Sequence, residues 1–319
     1  MSRLAGAACA AIVALGSAMA AAQGLKFALV AKSVDDGNFV DAWRGCNDEA
    51  QRFGDQCVLI GGKGAAHPRL QVKAVAKALQ EGQFDALAIS VTSSRLLAST
   101  LQGARLPLFT YDSPFDAAEA RLSRAYIGTD NLEFGRELAR IARQLRPQGG
   151  SLCIMSAAHD PNLAQRVRGI RQELGASPDA PPEQLLNGEA GWAELSRCVF
   201  NSADDGSKTM REVAFALREL RPDVFISVGH WPVIDASSYR ETIQPYRQDI
   251  VDRKRLVIVG VGKVNPPQAA LLNERLVHGY VSIDFPKMGR LTYQVMKSAL
   301  EGKPASAVTF TPDAVIAGK

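Results

Sequence analysis

The sequence predicts an α/β protein of two similar lobes, each a parallel β-sheet flanked by helices. Short apolar runs typical of buried strands alternate with segments that carry apolar residues at helical spacing, from residue 27 to residue 300. The chain has 319 residues, 46% of them hydrophobic, so it can bury the cores of two ordinary lobes. A stretch rich in Pro, Ala and Asp at residues 175–190 interrupts the alternation and is typical of a surface loop.

The first strand–helix unit is where we expect a binding site. Residues 27–31 (FALVA) predict a buried strand, residues 32–37 a polar loop, and residues 38–51 a helix. In such units small ligands bind at the carboxyl end of the strand, beside the amino terminus of the helix. The short polar side chains of this loop and one aromatic residue, Phe39, suit a polyhydroxylated ring better than a phosphate.

The remaining elements follow in the same alternating order. Further strands are predicted at residues 57–61, 84–90, 106–111, 125–128, 151–155, 197–200, 223–228, 256–261 and 279–283. Further helices are predicted at residues 67–81, 93–103, 131–145, 162–174, 207–220, 237–250 (in part), 268–275 and 286–300.

The amino terminus predicts an exported protein. Residues 1–22 form a signal peptide with a short basic start, an apolar stretch at residues 4–15 and small residues that allow cleavage after Ala20 or Ala22. The apolar stretch is short and Ala-rich for a membrane span. We therefore expect a soluble protein of the periplasm.

Export places the cysteines that follow the signal peptide in an oxidising compartment. Four cysteines allow three pairings. We favour Cys46–Cys57, because the chain doubles back between the first helix and the next strand, and Cys153–Cys198, because each begins a predicted strand and the two strands could be neighbours. Four buried free thiols are the alternative.

Several function classes find no support in the sequence. The net charge of +4, with acids and bases interspersed, is too mild to indicate a nucleic-acid partner. The glycine-rich segments 61–64 and 260–263 lack the spacing of a phosphate loop, and hydrolase and metalloprotease motifs are absent. The histidines are scattered, and nothing marks the carboxylate pair of a glycosidase. We therefore expect no catalysis, no metal and no cofactor.

Six segments in order carry a family resemblance. They are residues 25–45, 109–113 (FTYDS), 126–131 (YIGTDN), Asn162-x3-Arg166-x2-Gly169-Ile170, 257–260 (VIVG) and 279–283 leading into Met288-Gly289. Together they resemble periplasmic sugar-binding proteins of the ribose-binding type, the substrate-capturing subunits of ABC importers. The resemblance covers nearly the whole mature chain and implies a monomer with two lobes joined by three chain crossings. It assigns residues 24–129 and 284–309 to the N-terminal lobe and residues 130–283 and 310–319 to the C-terminal lobe.

The resemblance also implies ligand-binding roles for three residues. Asp112 matches the sugar-binding Asp of the family, and an ionised carboxylate can accept two hydroxyl hydrogen bonds. Arg166 matches the ligand-binding Arg, whose guanidinium presents donors in a fixed fork. Phe39 matches an aromatic residue that packs on the apolar face of the sugar. The alternatives are a cap or turn role for Asp112, an exposed helix charge for Arg166 and a core position for Phe39.

Trp231 stands where the family commonly has an Asn, and its ring can stack on a sugar and donate its indole N–H, unless it only packs in the core. The ribose-type pattern has an Asp where this chain has Gly262-Lys263, and Ile283 falls near a position that often holds Gln. These departures imply a ring other than ribose. The other predicted contacts lie in the first loop, beside Asp112, after the strand at residues 197–200 and next to Ile283; the third of these, Asp205, could instead belong to a solvated turn. They are Lys32, Asp36, Asn38, Ser113, Asp205 and Asp284.

The implied mechanism is closure of the lobes over a sugar or polyol, which favours the closed form through its differential contacts. An inner-membrane ABC permease would then recognise the closed shape. The alternative partner is the periplasmic domain of a histidine kinase or chemoreceptor, for which the protein would act as a sensor.

Overall fold

The computed structural model describes residues 24–157, 160–198, 200–201 and 206–318. The predicted signal peptide with its cleavage position, and Asp205, lie outside these residues. Within the described part of the chain, no helix has the length and apolar character needed to cross a membrane.

The strands and helices alternate along most of the chain. The strands are β1 (Lys26–Ala31), β2 (Gln56–Gly61), β3 (Ala86–Ile89), β4 (Leu108–Tyr111), β5 (Tyr126–Gly128), β6 (Gly150–Ser156), β7 (Asn187–Glu189), β8 (Trp192–Glu194), β9 (Phe200–Asn201), β10 (Val224–Ser227), β11 (Leu256–Val261), β12 (Gly279–Ile283), β13 (Val308–Phe310) and β14 (Asp313–Ala317). The helices are α1 (Gly37–Gln51), α2 (Pro68–Glu81), α3 (Ser94–Leu101), α4 (Asn131–Leu145), α5 (Pro161–Glu173), α6 (Gly206–Phe215), α7 (Ala236–Ile243), α8 (Arg247–Val251), α9 (Pro266–Asn273) and α10 (Phe285–Leu300).

The first sheet is parallel throughout, in the order β13-β5-β4-β3-β1-β2. Strand β1 shows why helices cover both faces. Phe27, Leu29 and Ala31 belong to the core beneath α1 and α10, whereas Ala28 and Val30 pack with residues of α2 and α3. This alternation follows from the two-residue period of a strand. The predicted parallel sheet with helices on both faces is therefore confirmed.

The second sheet is mostly parallel, in the order β14-β12-β11-β10-β6-β8-β7, with β9 beside β6. Two pairs are antiparallel: β12 with β14, and the hairpin of β7 and β8. The hairpin falls partly in residues 175–190, where the sequence predicts only a surface loop. The strand predicted at residues 197–200 is wrong in its bounds, because Arg197 lies in a turn and β9 begins at Phe200.

Each lobe contains one closely packed helix pair with glycines at the contact. A methyl group on Gly45 or Gly289 would clash with backbone of the partner helix in the pair of α1 and α10. The same holds for Gly135 and Gly169 in the pair of α4 and α5. Three of these glycines belong to the segments that carry the family resemblance. The structure explains why glycine stands there: two helix backbones meet at these positions and leave no room for a side chain.

The chain passes between the two sheets three times. Helix α4 follows β5 but packs on β11 and β12, and α10 follows β12 but packs on α1. The third passage joins β13 in the first sheet to β14 in the second. The bounds given above for the two lobes remain a prediction, as does the use of the passages as a hinge.

Both favoured disulfides are present. Cys46 in α1 pairs with Cys57 in β2, with 5.9 Å between their Cα atoms. Cys153 in β6 pairs with Cys198, with 5.0 Å between their Cα atoms. Cys198 precedes β9 instead of beginning a strand as expected, but the chain still brings it beside β6.

Candidate ligand-binding cleft

A cleft of about 730 Å³ lies between the two sheets. Residues at or just beyond the carboxyl ends of β1, β4, β6, β10, β11 and β12 line it, which is where open parallel sheets bind ligands. Of the ten predicted contacts, seven line this cleft: Lys32, Asp36, Asn38, Phe39, Asp112, Arg166 and Trp231.

Asp112 follows β4 in an unusual backbone conformation, with φ at +58°. Asp adopts this left-handed region more readily than most residues, and such strain is common at binding sites. Its backbone oxygen accepts hydrogen bonds from the Tyr126 hydroxyl at 3.0 Å and from Asn162 Nδ2 at 2.7 Å. Its carboxylate Oδ2 accepts a hydrogen bond from Ser90 Oγ at 2.6 Å. The main chain of Asp112 is therefore held by two side chains, and one oxygen of its carboxylate is held by Ser90.

Lys32, at the end of β1, lies between two carboxylates. Its Nζ is 3.0 Å from Asp160 Oδ2 and 3.4 Å from Asp112 Oδ2. Burial alone would lower the pKa of Lys32, but attraction by the two carboxylates raises that pKa above its ordinary value. Asp160 is the N-cap of α5, where its Oδ1 accepts a hydrogen bond from the Asn162 backbone N–H at 2.9 Å. Lys32 thus links the first sheet to a helix of the second lobe.

Arg166 in α5 is buried and held by uncharged oxygens. Its Nε donates to Asn131 Oδ1 and its Nη1 to the Val228 carbonyl oxygen, each at 2.8 Å. The guanidinium carbon lies 4.3 Å from the centre of the Phe134 ring, a cation–π distance. Burial lowers the pKa of Arg166, and the nearby carboxylates of Asp112, Asp160 and Asp313 oppose this shift. Its Nη2 makes no hydrogen bond with the described residues, so it can donate to a ligand.

Aromatic side chains form part of the cleft wall. Phe39 is buried and meets the rings of Tyr111 and Phe285 edge-on, with centroids 6.2 Å apart in both pairs. The core and ligand-facing roles proposed for Phe39 are thus compatible, because it packs on other rings and also lines the cleft. Trp231, in a turn of 3₁₀ helix at Trp231–Val233, is likewise buried and lines the cleft, next to His230.

The other predicted contacts have different positions. Asp36 caps α1 by accepting a hydrogen bond from the Asn38 backbone N–H at 2.8 Å. The Asn38 amide oxygen closely approaches Gly262, where a Cβ would clash with it. The structure does not bring Ser113 or Asp284 to the cleft: Ser113 is buried outside it, and Asp284 is the exposed N-cap of α10.

The prediction of site residues omitted four that complete the cleft and its supports: Ser90, Asn131, Asp160 and Asn162. Asp160 and Asn162 line the cleft, whereas Ser90 and Asn131 hold Asp112 and Arg166. A signal for Asp160 was present in the sequence, because an Asp directly before Pro161 is a typical helix start. The described residues contain no group of three His, Cys, Asp or Glu side chains that could hold a metal ion.

A half-buried acid lies near the passages between the lobes. Asp313, at the start of β14, accepts a hydrogen bond from Thr129 Oγ1 at 3.2 Å. Burial raises the pKa of Asp313 to about 7, with repulsion from Asp130 and Glu137 adding to the shift and attraction by Arg166 opposing it.

Comparisons with known proteins agree with this architecture. A solute-binding protein of Burkholderia graminis in complex with D-arabinose has a TM-score of 0.75 and 18% identity, over 93% of this chain and 96% of that chain. A glucose-galactose binding protein of Geobacillus stearothermophilus has a TM-score of 0.75 and 18% identity, over 92% and 98%. A solute-binding protein of Agrobacterium vitis with bound D-fucose has a TM-score of 0.76 and 14% identity, over 92% and 95%. At these identities the likeness concerns the fold.

Sequence comparison identifies the family. No curated protein matches the chain significantly. Residues 27–304, however, match the family described as the periplasmic binding protein domain, and this range contains both sheets apart from the ends of the chain. With its two α/β lobes around a polar cleft, this chain belongs to the periplasmic binding protein family.

Proposed function

We propose that this chain is a periplasmic receptor for a sugar or polyol, which closes over its ligand and delivers it to an ABC importer. The observation that carries the proposal is the pairing of Asp112 and Arg166 across one cleft. The two side chains come from opposite lobes, both are buried, and each keeps an atom, Asp112 Oδ1 and Arg166 Nη2, that makes no hydrogen bond with the described residues.

A hydroxyl group suits both atoms. It donates to a carboxylate oxygen and accepts from a guanidinium N–H, and hydrogen bonds to charged groups contribute about 1.5–3 kcal/mol each. Phe39 and Trp231 offer apolar surface beside these polar groups, as the face of a sugar ring requires. A ligand that contacts both lobes stabilises the closed arrangement relative to an open one.

Delivery to an importer is supported by the similar structures. The proteins from Burkholderia graminis and Agrobacterium vitis are described as solute-binding proteins of ABC transporters. The alternative role, a sensor for a histidine kinase or chemoreceptor, has no such support. The predicted signal peptide and the two disulfides support placement in the periplasm.

A thermal-shift screen tests the binding proposal. The chain from Gln23 onward, unfolded and refolded to remove carried-over ligand, is heated with pentoses, hexoses, amino sugars and polyols. A ligand at about a thousand times its Kd adds about 4 kcal/mol to the free energy of unfolding, a shift of several degrees. Asp112→Asn and Arg166→Met should weaken the response, whereas the matched variant Asp284→Asn should keep it because Asp284 does not line the cleft. Silence across the panel in folded protein would contradict the proposal.

Transport is tested once a ligand is found. Cells that lack the gene should lose uptake of that radiolabelled compound and regain it with the wild-type gene. Unchanged uptake together with a lost transcriptional response to the compound would favour the sensor role.

A further inference from the structure

The ammonium of Lys32 occupies a position that joins the two lobes. Lys32 follows β1 and Asp112 follows β4 in the first lobe, whereas Asp160 begins α5 in the second. The three side chains are 15%, 11% and 26% exposed, so solvent screens their attraction only in part. The contact is thus a partly buried ion bridge between the lobes.

The surroundings of Lys32 and Asp160 favour the charged forms of both groups. Attraction to the carboxylates overrides the burial of Lys32, and attraction to Lys32 likewise overrides burial at Asp160, whose pKa is lowered. Without the ammonium, two carboxylates from different lobes would face each other and repel. Lys32 therefore favours the approach of the two lobes at this point, and Arg166 is another cation near both acids.

The other acidic side chains of the cleft wall have local partners. Asp35 Oδ2 accepts a hydrogen bond from the Gly64 backbone N–H at 2.7 Å, and Asp36 caps α1. Asp112 and Asp160, which both line the cleft, lie 3.4 and 3.0 Å from the Lys32 ammonium. A ligand amine would find the two carboxylate oxygens that face Lys32, Asp112 Oδ2 and Asp160 Oδ2, already occupied by its ammonium.

We propose that Asp112 and Asp160 form an ammonium-binding subsite across the two lobes, which the chain fills with its own Lys32. Lys32 then acts as an internal counter-ion and lobe bridge, and the cleft favours uncharged ligands over those that carry an amine. The statement about ligands rests on the proposed sugar-binding function, but the subsite itself does not.

The subsite is tested without any sugar. Small-angle X-ray scattering gives the radius of gyration of wild type, Lys32→Ala and Lys32→Ala/Asp160→Asn, each in ethylammonium chloride and in sodium chloride at equal ionic strength. Lys32→Ala should have a larger radius than wild type in sodium chloride, and ethylammonium should restore the smaller radius. The double variant, which lacks one carboxylate, should not distinguish the two salts. Lys263→Ala, which removes an exposed lysine near the cleft mouth, should behave as wild type.

Several outcomes would overturn the proposal: an unchanged radius in folded Lys32→Ala, no difference between the two salts in that variant, or equal recovery in the double variant. If Lys32→Ala does not fold, Asp160→Asn takes its place, and its radius must exceed that of wild type. The ligand preference has its own test, since a larger thermal shift of wild type with D-glucosamine than with D-glucose would contradict it. Because the scattering experiment uses no sugar, its failure is distinguishable from failure of the proposed function.

Discussion

The two lobes place opposite charges in the same cleft, and they support them in different ways. In the first lobe, the Asp112 carboxylate is compensated by Lys32 and by the Ser90 hydroxyl. In the second lobe, the Arg166 guanidinium is held by two uncharged oxygens and an aromatic ring. The acid therefore depends on a partner that also contacts the other lobe, whereas the base is positioned by its own surroundings. Closure should alter the environment of Asp112 more than that of Arg166.

The lobes also differ in how the chain holds them together. The first lobe has a disulfide that closes an 11-residue separation, and its helix pair joins α1 to the distant α10. The second lobe has a disulfide that closes a 45-residue separation, and its helix pair joins the successive helices α4 and α5. The predictions below test these differences, beginning with the largest expected effect.

Removal of the disulfides should destabilise the second lobe more than the first. Loop closure in the unfolded chain predicts a loss of about 4 kcal/mol for Cys153→Ala/Cys198→Ala and about 3 kcal/mol for Cys46→Ala/Cys57→Ala. All four cysteines are buried, so the alanine pairs leave comparable cavities. Urea unfolding of the two variants and wild type measures the losses. Equal losses, or a larger loss in the first lobe, would show that native packing and not loop length sets the stabilisation.

Gly289→Ala and Gly135→Ala should both destabilise the protein, by about 3 kcal/mol each, at the upper end for an overpacked core. The added methyl group would meet backbone, the Ala42 carbonyl oxygen in the first lobe and the Arg166 carbonyl oxygen in the second, so the helices must separate. The methyl group of Gly135→Ala meets Arg166, which lines the cleft, whereas that of Gly289→Ala meets Ala42, which does not, so Gly135→Ala should weaken ligand binding more. Gly206→Ala, where nothing lies within 4 Å, is the control for both measurements.

If Gly289→Ala weakened ligand binding as much as Gly135→Ala, the two helix pairs would be coupled to the cleft equally. Isothermal titration with the ligand from the sugar screen, at a temperature where all variants are folded, decides this.

The sequence predicted most of the fold because periodicity is local. Strand β11 and helix α4 have the predicted bounds, since their apolar patterns are long and their ends carry clear signals. The hairpin of β7 and β8 has three-residue strands with the sequences NGE and WAE, which show no alternation. Strands β13 and β14 pair with β5 and β12, far away in the sequence. No local pattern could indicate those partners.

The cleft was predicted only in part, for a related reason. Asp112, Phe39 and Arg166 lie in segments with a strong family resemblance, and all three line the cleft. Asp160 contacts Lys32 across 128 positions of sequence, so its role depends on how the lobes meet. Asp284 shows the opposite case: the resemblance suggested a ligand contact, but the residue stands directly before a helix with Pro in its first turn and caps it.

Acid should destabilise the second lobe through His278, which is buried before β12. Burial lowers its pKa to about 4, with Arg253 adding to the shift and the hydrogen bond of Nε2 with the Ile250 carbonyl oxygen opposing it. The unfolded chain binds a proton near pH 6.5 and the folded chain does not, so the free energy of unfolding falls as pH decreases from about 6.5 to about 4. The full loss is about 3 kcal/mol. Urea unfolding of wild type and His278→Gln across this range measures it.

Asp313 should act in the opposite direction over much of the same range. Its pKa is raised to about 7, so the folded chain keeps a proton that the unfolded chain releases. That stability is fully present below pH 3.8 and is lost as pH rises through 7. The free energy of unfolding of His278→Gln should therefore rise as pH decreases. That of Asp313→Asn should show only the decrease that His278 causes. A wild-type slope that neither substitution changes would contradict both assignments.

The helix caps at the cleft provide the smallest and most direct comparison of the lobes. Asp36 caps α1 and Asp160 caps α5, each by accepting from a backbone N–H two residues later. Asn is as good a cap as Asp, so both caps should survive substitution by Asn, but Asp160→Asn should cost about 1 kcal/mol because it also removes the charged partner of Lys32. Double-mutant cycles with Lys32→Met, measured by urea unfolding, give the interaction energy between Lys32 and each acid. Asp160 should have such an interaction energy with Lys32, and Asp36 should not. Equal coupling at both caps would mean that Lys32 senses the general charge of the cleft and not one carboxylate of the other lobe.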